Sequence, residues 1–251
     1  MVRVLLHGCC GRMGRMITEM AAGDKEIHII AGVDAFGSVY SSYPVYASLE
    51  EVQEEADVVI DFSTAKAVDD LLDWCAEKGM PVIVCTTGLS TDQTAHLHEA
   101  AQKTAVLKSA NMSVGINLLL NILSEVAPKL LAAGYDCEIV ERHHNQKLDA
   151  PSGTAIALAD AVNDSQGDTM DYVYDRSSRR QARPHDEIGI SAVRGGSIVG
   201  DHDVIFAGQD EVITFSHTAY SRGLFAKGAI EAAKYLAGKE AGMYSMQDVL
   251  A

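Results

Sequence analysis

Basic residues are scarce: the chain carries 20 Lys and Arg against 35 Asp and Glu, a formal net charge of −15 over 251 residues. Affinity for nucleic acid comes mainly from neutralised phosphates, so such a chain repels a polyphosphate backbone, and nucleic acid is not expected as a partner. The only Lys/Arg cluster runs from Arg176 to Arg183. Cysteine is limited to Cys9, Cys10, Cys75, Cys85 and Cys137, an odd number with no CxxC or Cys/His zinc spacing. The pattern predicts a reducing, cytoplasmic compartment and no metal site. No apolar run approaches the roughly 20 residues that cross a bilayer, and Met1 leads straight into a strand-like segment holding a single Arg3. A soluble, unexported chain without a membrane partner is expected. Repeats and low-complexity segments are missing too, and at 47% hydrophobic and 22% charged residues the chain is not disordered as a whole.

The length exceeds the roughly 100 to 200 residues of a single domain. Up to about Leu107, short aliphatic runs (Val2 to His7, Ile27 to Val33, Asp57 to Phe62, Pro81 to Cys85, Thr104 to Leu107) mostly alternate with helical stretches (Arg12 to Ala22, Ala65 to Lys78, Thr91 to Lys103). Nearly all-apolar strands separated by helices predict a parallel, doubly wound α/β sheet of Rossmann type. A helix from Asn111 to Leu131 follows, with Val114, Leu118, Ile122, Val126 and Leu130 at spacing four and Gly134 as its stop. Then come a strand at Tyr135 to Arg142, a helix from Ser152 to Asn163, and a polar loop from Asp164 to Glu187 with one strand near Tyr172 to Tyr174. Three strands follow close together at Ile188 to Arg194, Asp203 to Ala207 and Glu211 to Thr218, and a last helix spans Ser221 to Leu236. Strands in such succession predict a mixed or antiparallel sheet. The expected plan is a dinucleotide-binding domain of residues 1–112 plus 222–251, into which an α+β domain of residues 113–221 is inserted for substrate binding and oligomerisation.

Two stretches carry chemistry. In the first, the strand Val2 to His7 runs into Gly8-Cys9-Cys10-Gly11-Arg12-Met13-Gly14, which opens a helix. Glycines allow a tight turn and close approach of a phosphate, while the helix start offers backbone N–H groups and roughly half a positive charge. The spacing is GxxGxxG, with Cys10 where a dinucleotide fingerprint has its middle glycine. Asp34, twenty residues past Gly14 at the end of the second strand, is placed to accept from both hydroxyls of an adenosine ribose. No Arg in Ala35-Phe36 would receive a 2′-phosphate, so NADH should serve at least as well as NADPH. The alternative is a glycine turn that merely joins strand to helix, with Asp34 capping a strand end. The segments Asp61 to Thr64, Cys85 to Gly88 and Ser109 to Met112 end the next three strands and suit a cofactor groove.

The second stretch is Glu141-Arg142-His143-His144-Asn145-Gln146-Lys147-Leu148-Asp149-Ala150-Pro151-Ser152-Gly153-Thr154. If it is extended, alternation sends His143 and Lys147 one way and His144 the other. Micromolar affinity needs about −8 kcal/mol, against about 1.5 to 3 for one charge-assisted hydrogen bond, so several donors must converge. His144, Lys147 and the N–H and hydroxyl groups of Ser152, Gly153 and Thr154 provide such a set for a small dicarboxylate. His143 could deliver a proton near neutrality, with Lys147 holding a carboxylate or donating a proton itself. The competing readings are a chance pair of loop histidines or a stray metal site, the latter without a carboxylate or cysteine at ligand spacing.

These motifs, with Asp61-Phe62-Ser63, Thr86-Thr87-Gly88 and Asn111-Met112-Ser113-Val114-Gly115-Ile116-Asn117, resemble those of the 4-hydroxy-tetrahydrodipicolinate (dihydrodipicolinate) reductase family, in order along essentially the whole chain. The resemblance implies an NAD(P)H-dependent enzyme of the diaminopimelate branch of lysine biosynthesis, usually a homotetramer joined through the second domain's sheet. By motif position it implies His143 as proton donor or acceptor, Lys147 as second catalytic group, and His144, Gly153 and Thr154 as carboxylate ligands. On the cofactor side it implies Gly8, Cys9, Cys10, Gly11, Arg12, Met13, Asp34, Cys85, Thr86, Thr87, Ser109, Ala110, Asn111 and Met112. Met112 stands where many members carry Phe, and Cys85 where many carry Gly. Reduction of a conjugated imine would bring nicotinamide and His143 to one ring, with hinges expected near Met112 to Ser113 and Ser221 to Gly223. Two rivals are an amino-acid dehydrogenase of similar build and a catalytically silent dinucleotide sensor.

Overall fold

The computed structural model describes residues 1–35, 42–109 and 111–251. In chain order the strands are β1 (Val2–His7), β2 (Ile27–Val33), β3 (Val45–Tyr46), β4 (Val58–Asp61), β5 (Val82–Val84), β6 (Ala105–Lys108), β7 (Asp136–His143), β8 (Asp171–Val173), β9 (Glu187–Arg194), β10 (Gly200–Ala207), β11 (Val212–Ala219) and β12 (Gly242–Tyr244). The helices are α1 (Arg12–Ala21), α2 (Val68–Lys78), α3 (Thr91–Ala100), α4 (Val114–Ala132), α5 (Gly153–Asp164), α6 (Gly223–Leu236) and α7 (Met246–Val249). They fall into two compact units, residues 1–114 with 223–251, and residues 115–222.

In the first unit seven parallel strands stand in the order β12-β6-β5-β4-β1-β2-β3. The side-chain period of two divides each strand between two cores. Val4, Leu6, Val58, Ile60, Ile83 and Leu107 pack with α1 and α6, while Leu5, Val59, Val82, Val84 and Val106 pack with α2 and α3. That double burial is why these strands are almost wholly aliphatic. The chain direction of build-up reverses between β1 and β4, and ligands of such sheets bind beyond the strand carboxyl ends at that point. The edge strands β3 and β12 escape the sequence reading, since two or three residues are too few to show a period.

The second unit is a mixed five-stranded sheet, β11-β10-β7-β9-β8, with β7, β8 and β9 mutually parallel and β10 and β11 antiparallel. One face is covered by α4 and α5, with Leu119, Leu123, Leu158 and Val162 against Ile139, Ile190, Val204 and Phe206. The parallel Rossmann-type sheet and the mixed second sheet are those expected from the sequence. Three corrections are needed. α4 begins at Val114 rather than Asn111, because the Asn111 Oδ1 accepts from the Ser113 N–H at 2.8 Å and holds a turn there. β7 runs one residue further than expected, to His143, and β10 starts three residues earlier, at Gly200. α4, with 19 residues, is also long and apolar enough to cross a membrane by length and composition. No uninterrupted run signals this, because Asn117, Asn121, Glu125 and Lys129 punctuate the helix, and its Leu119, Leu123 and Ala127 lie in the unit's core.

Candidate functional site

In the first unit β1 ends at His7 and the chain turns at Gly8 with φ +77°, a left-handed conformation that glycine adopts without strain. A Cβ at Gly8 would lie 2.5 Å from the Phe62 carbonyl oxygen, and one at Gly14 would lie 2.4 Å from that of Gly8. The loop therefore needs both glycines to lie flat against β4 and α1. Gly11 precedes α1 in extended conformation and no side chain caps the helix, which leaves its first-turn N–H groups without a side-chain acceptor, as an anion site requires. The cleft measures about 410 Å³ and is lined by Gly8, Cys10, Gly11, Asp34, Ser63 and Thr64 among others. An Asp34 oxygen accepts from the Cys10 N–H at 2.9 Å, which ties the acid at the end of β2 to the glycine loop. A bare helix start, a flat glycine turn and a carboxylate beside it fit the pyrophosphate and ribose of a dinucleotide.

Asp61, at the end of β4, has no solvent exposure. Burial pushes its carboxyl up, but hydrogen bonds from His7, Ser63 and Thr86 outweigh this and hold it below the usual range. His7 Nδ1 lies 2.9 Å away, the Ser63 N–H 3.1 Å and the Thr86 hydroxyl 2.6 Å. This knot joins the carboxyl ends of β1, β4 and β5. Lys108 adds a second tie, donating from Nζ to the Thr86 carbonyl at 2.6 Å. Sequence reading assigns no role to His7 or Lys108 and takes Asp61 as part of a groove-lining segment; Asp61 is instead buried and ties the strand ends together, while Ser63 and Thr64 line the cleft.

The remaining cofactor candidates are dispersed. Cys9 is buried, Arg12 is exposed on the first turn of α1, and Met13 packs partly on the core. Thr87 follows Thr86 beyond β5. Cys85 and Met112 are buried in the core shared with α1 and α6, and neither lines the cleft. The Ser109 hydroxyl donates to the Asn111 carbonyl at 2.8 Å. Ala110 lies outside the described residues, as does Phe36.

In the second unit β7 alternates half-buried and buried residues, which puts Cys137, Ile139, Glu141 and His143 on the helix-covered face. The face changes from apolar to ionisable toward its carboxyl end. Glu141 is fully buried and receives both guanidinium NH groups of Arg194 at 2.7 Å, the Ser152 N–H at 2.9 Å and His143 Nδ1 at 2.6 Å. Burial pushes the Glu141 carboxyl up, and the hydrogen bonds from Arg194 and His143 bring it below its ordinary value. With Nδ1 engaged by a carboxylate, His143 presents Nε2 as its exchangeable nitrogen. Gly200 keeps that nitrogen accessible from β10, since a Cβ there would stand 3.0 Å from it.

His202, from β10, meets the His143 ring edge-on at 5.1 Å between centroids. Its Nε2 lies 3.1 Å from the Ser152 hydroxyl, and burial, with His143 nearby, lowers its pKa to about 4. Ser152 is itself buried and caps α5, accepting from the Ala155 N–H at 3.1 Å. It thus holds the helix start in place while Gly153 and Thr154 supply the first-turn N–H groups. A Cβ at Gly153 would meet nothing within 4 Å.

One expectation fails here. The segment after His143 is not extended: the Lys147 N–H donates to the His144 carbonyl at 3.1 Å, closing a turn over Asn145 and Gln146. Alternation therefore does not relate Lys147 to His143. Lys147 instead pairs with Asp149 at 2.9 Å, and a cis Ala150–Pro151 peptide leads on to α5. The roles of Glu141, Arg194 and His202 are absent from the sequence reading. Only Glu141 had a local signal, since residues i and i+2 of a strand share a face.

Comparison with known proteins agrees along the whole chain. Residues 2–112 match the family described as dihydrodipicolinate reductase, N-terminus, and residues 115–250 match dihydrodipicolinate reductase, C-terminus. A 4-hydroxy-tetrahydrodipicolinate reductase of Caldanaerobacter subterraneus subsp. tengcongensis is 48% identical over 250 residues, covering 100% of this chain and 98% of its own. One of Clostridium tetani is 45% identical, with 100% and 97% covered. Among solved structures, the dipicolinate-bound dihydrodipicolinate reductase of Paenisporosarcina sp. TG-14 shares the fold, with a TM-score of 0.82, 24% identity and 100% of both chains covered. With both halves matched and such identity sustained from end to end, the chain belongs to the dihydrodipicolinate reductase family.

Proposed function

We propose that the protein reduces 4-hydroxy-tetrahydrodipicolinate, or its dehydrated form, to tetrahydrodipicolinate with NADH or NADPH, a step of the diaminopimelate branch of lysine biosynthesis. The observation that carries the site assignment is the buried Glu141, which joins the His143 ring, Arg194 and the start of α5. The dinucleotide would be held by the loop from Gly8 to Met13 and by Asp34, with Thr86, Thr87, Ser109, Asn111 and, by motif position, Ala110 contributing beyond them, and with the buried Cys85 and Met112 acting through packing alone. When bound, its reduced nicotinamide supplies the hydride.

The chain's own groups handle anions and protons. Gly153 and Thr154 receive a substrate carboxylate on the first-turn N–H groups of α5, while His144 and Lys147 donate hydrogen bonds to the two carboxylates. Ser152 contributes by capping that helix. His143 exchanges the proton at Nε2, because Glu141 holds Nδ1, and Lys147 is the second catalytic group. A general acid contributes about a hundredfold or more, so His143→Gln should lose at least that factor in kcat.

The reading extends to a homotetramer joined through the sheet face that α4 and α5 leave uncovered, and to a cytoplasmic location with neither nucleic acid nor membrane as partner. Three of the clustered arginines support the exclusion of nucleic acid. Arg176 and Arg179 pair with Glu187, Arg176 also with Glu138, and Arg183 with Glu138 and Asp136. A coupled assay that forms the substrate enzymatically from pyruvate and aspartate semialdehyde, with nicotinamide absorbance as readout, tests reaction and cofactor together. Oxidation of either nucleotide only when the precursor is formed supports the proposal; none with either nucleotide refutes it.

A further inference from the structure

Cys9 and Cys10 stand side by side in the glycine loop, and the fold brings Asp34 to them from the end of β2. Their sulfurs are 3.9 Å apart. Both sulfurs and an Asp34 carboxylate oxygen lie within 4.8 Å of one another. A tetrahedral zinc ion with Zn–S bonds of about 2.3 Å sets two sulfur ligands about 3.8 Å apart, so the thiols already have the separation of a chelating pair. We propose that Cys9, Cys10 and Asp34 form a site for a thiophilic divalent cation, Zn²⁺ or Cd²⁺, with a fourth position left to water or an exogenous ligand.

Packing and charge both bear on this site. Gly32 makes room for the buried Cys9 sulfur, since a Cβ there would stand 2.6 Å from it, and Cys10 lines the open cleft and gives an ion entry. The start of α1 opposes a cation with roughly half a positive charge, against three negative charges on the deprotonated ligand set. Because the ion is bound by thiolates, its uptake should release protons. The ion would sit on the loop assigned to the dinucleotide, so the two should exclude each other. This last consequence rests on the proposed cofactor role, whereas the metal site stands without it.

The test uses the reduced full-length protein titrated with cadmium chloride and read by the ultraviolet charge-transfer band of cadmium thiolate, with zinc chloride as competitor. The other thiols, Cys75, Cys85 and Cys137, are buried in three separate cores and should add nothing. The expected result is one ion per chain, displaced by zinc. The band should be about halved in Cys9→Ser and in Cys10→Ser. Affinity should fall at least about tenfold in each, since even an outer-shell loss costs 10- to 100-fold. Cys10 is only partly buried, so Cys10→Ser decides the matter if Cys9→Ser fails to fold. No uptake by the wild type, or a band and affinity unchanged in Cys10→Ser, would overturn the site. Saturating NADH should weaken uptake; cysteine-dependent uptake that is indifferent to NADH would uphold the metal site and count against cofactor binding at this loop.

Discussion

A carboxyl group without access to water must be either protonated or surrounded by donors, and Glu141 is surrounded. Arg194, Ser152 and His143 all point at it, and the guanidinium pairs with it through two parallel bonds. Replacing it by Gln keeps the shape but gives Arg194 and His143 a weaker acceptor. Glu141→Gln should lower kcat at least about tenfold through loss of ring orientation, and should move the pH profile of kcat. The Glu141→Gln/His143→Gln double variant should lose little more than His143→Gln alone, since the carboxylate acts through the ring. Additive losses would show instead that Glu141 only supports the fold. His202 gives a stability prediction. Its folded pKa is lowered from 6.5 to about 4, so the unfolded chain binds the extra proton first, and stability falls as the pH drops from about 6.5 toward 4. The loss amounts to at most about 3 kcal/mol. Urea melts of the wild type and His202→Gln at pH 7 and pH 5 should show a smaller acid loss in the variant; equal losses would refute this.

At the scale of elements, two glycines separate the demands of the fold from those of a ligand. Gly8 has positive φ and a backbone oxygen where a Cβ would go, so Gly8→Ala should cost about 1 to 3 kcal/mol for the conformation alone, and more for the clash. Gly153 begins α5 with open space around it, and Ala is the better helix former. Gly153→Ala should therefore keep or raise the melting temperature while raising KM for the dicarboxylate at least severalfold. An unchanged KM would remove this residue from the carboxylate site. Element identity was readable where a segment was long enough to show its period, as in β1, β2 and α5. It was not readable in β3 and β12, which owe their existence to pairing with a neighbour. The turn after His143 was also hidden, because Asn145-Gln146 carries no glycine or proline to mark it.

For the whole molecule, the question is how copies with a net charge of −15 could associate. Like charges repel over about a Debye length, roughly 8 Å at physiological salt, so association requires a surface with its own charges paired. The uncovered face of the second sheet meets that requirement: Arg142 and Asp203 pair across β7 and β10 at 2.6 Å, and Arg176 and Arg183 hold Glu138. Val193 and Val212, 46% and 61% exposed, add apolar surface at β9 and β11. Light scattering on the eluted protein should give about four times the 26.9 kDa of one chain, and a monomer would dismiss the tetramer.

The order of strands and helices, the glycine turn with its acid twenty residues on, and the His143 to Thr154 stretch could all be read from the chain, because period and spacing are local properties. What stands opposite each of these residues depended on strand register. Arg194 reaches Glu141 across 53 residues, Asp61 reaches His7 across 54, and Ser152 meets His202 across 50. A shift of one position in β9, β4 or β10 would turn each partner to the other face of its sheet. No pattern within a single strand records its neighbour's register, so the chemical setting of His143 and of the Cys9–Cys10 pair was decided only when the sheets assembled.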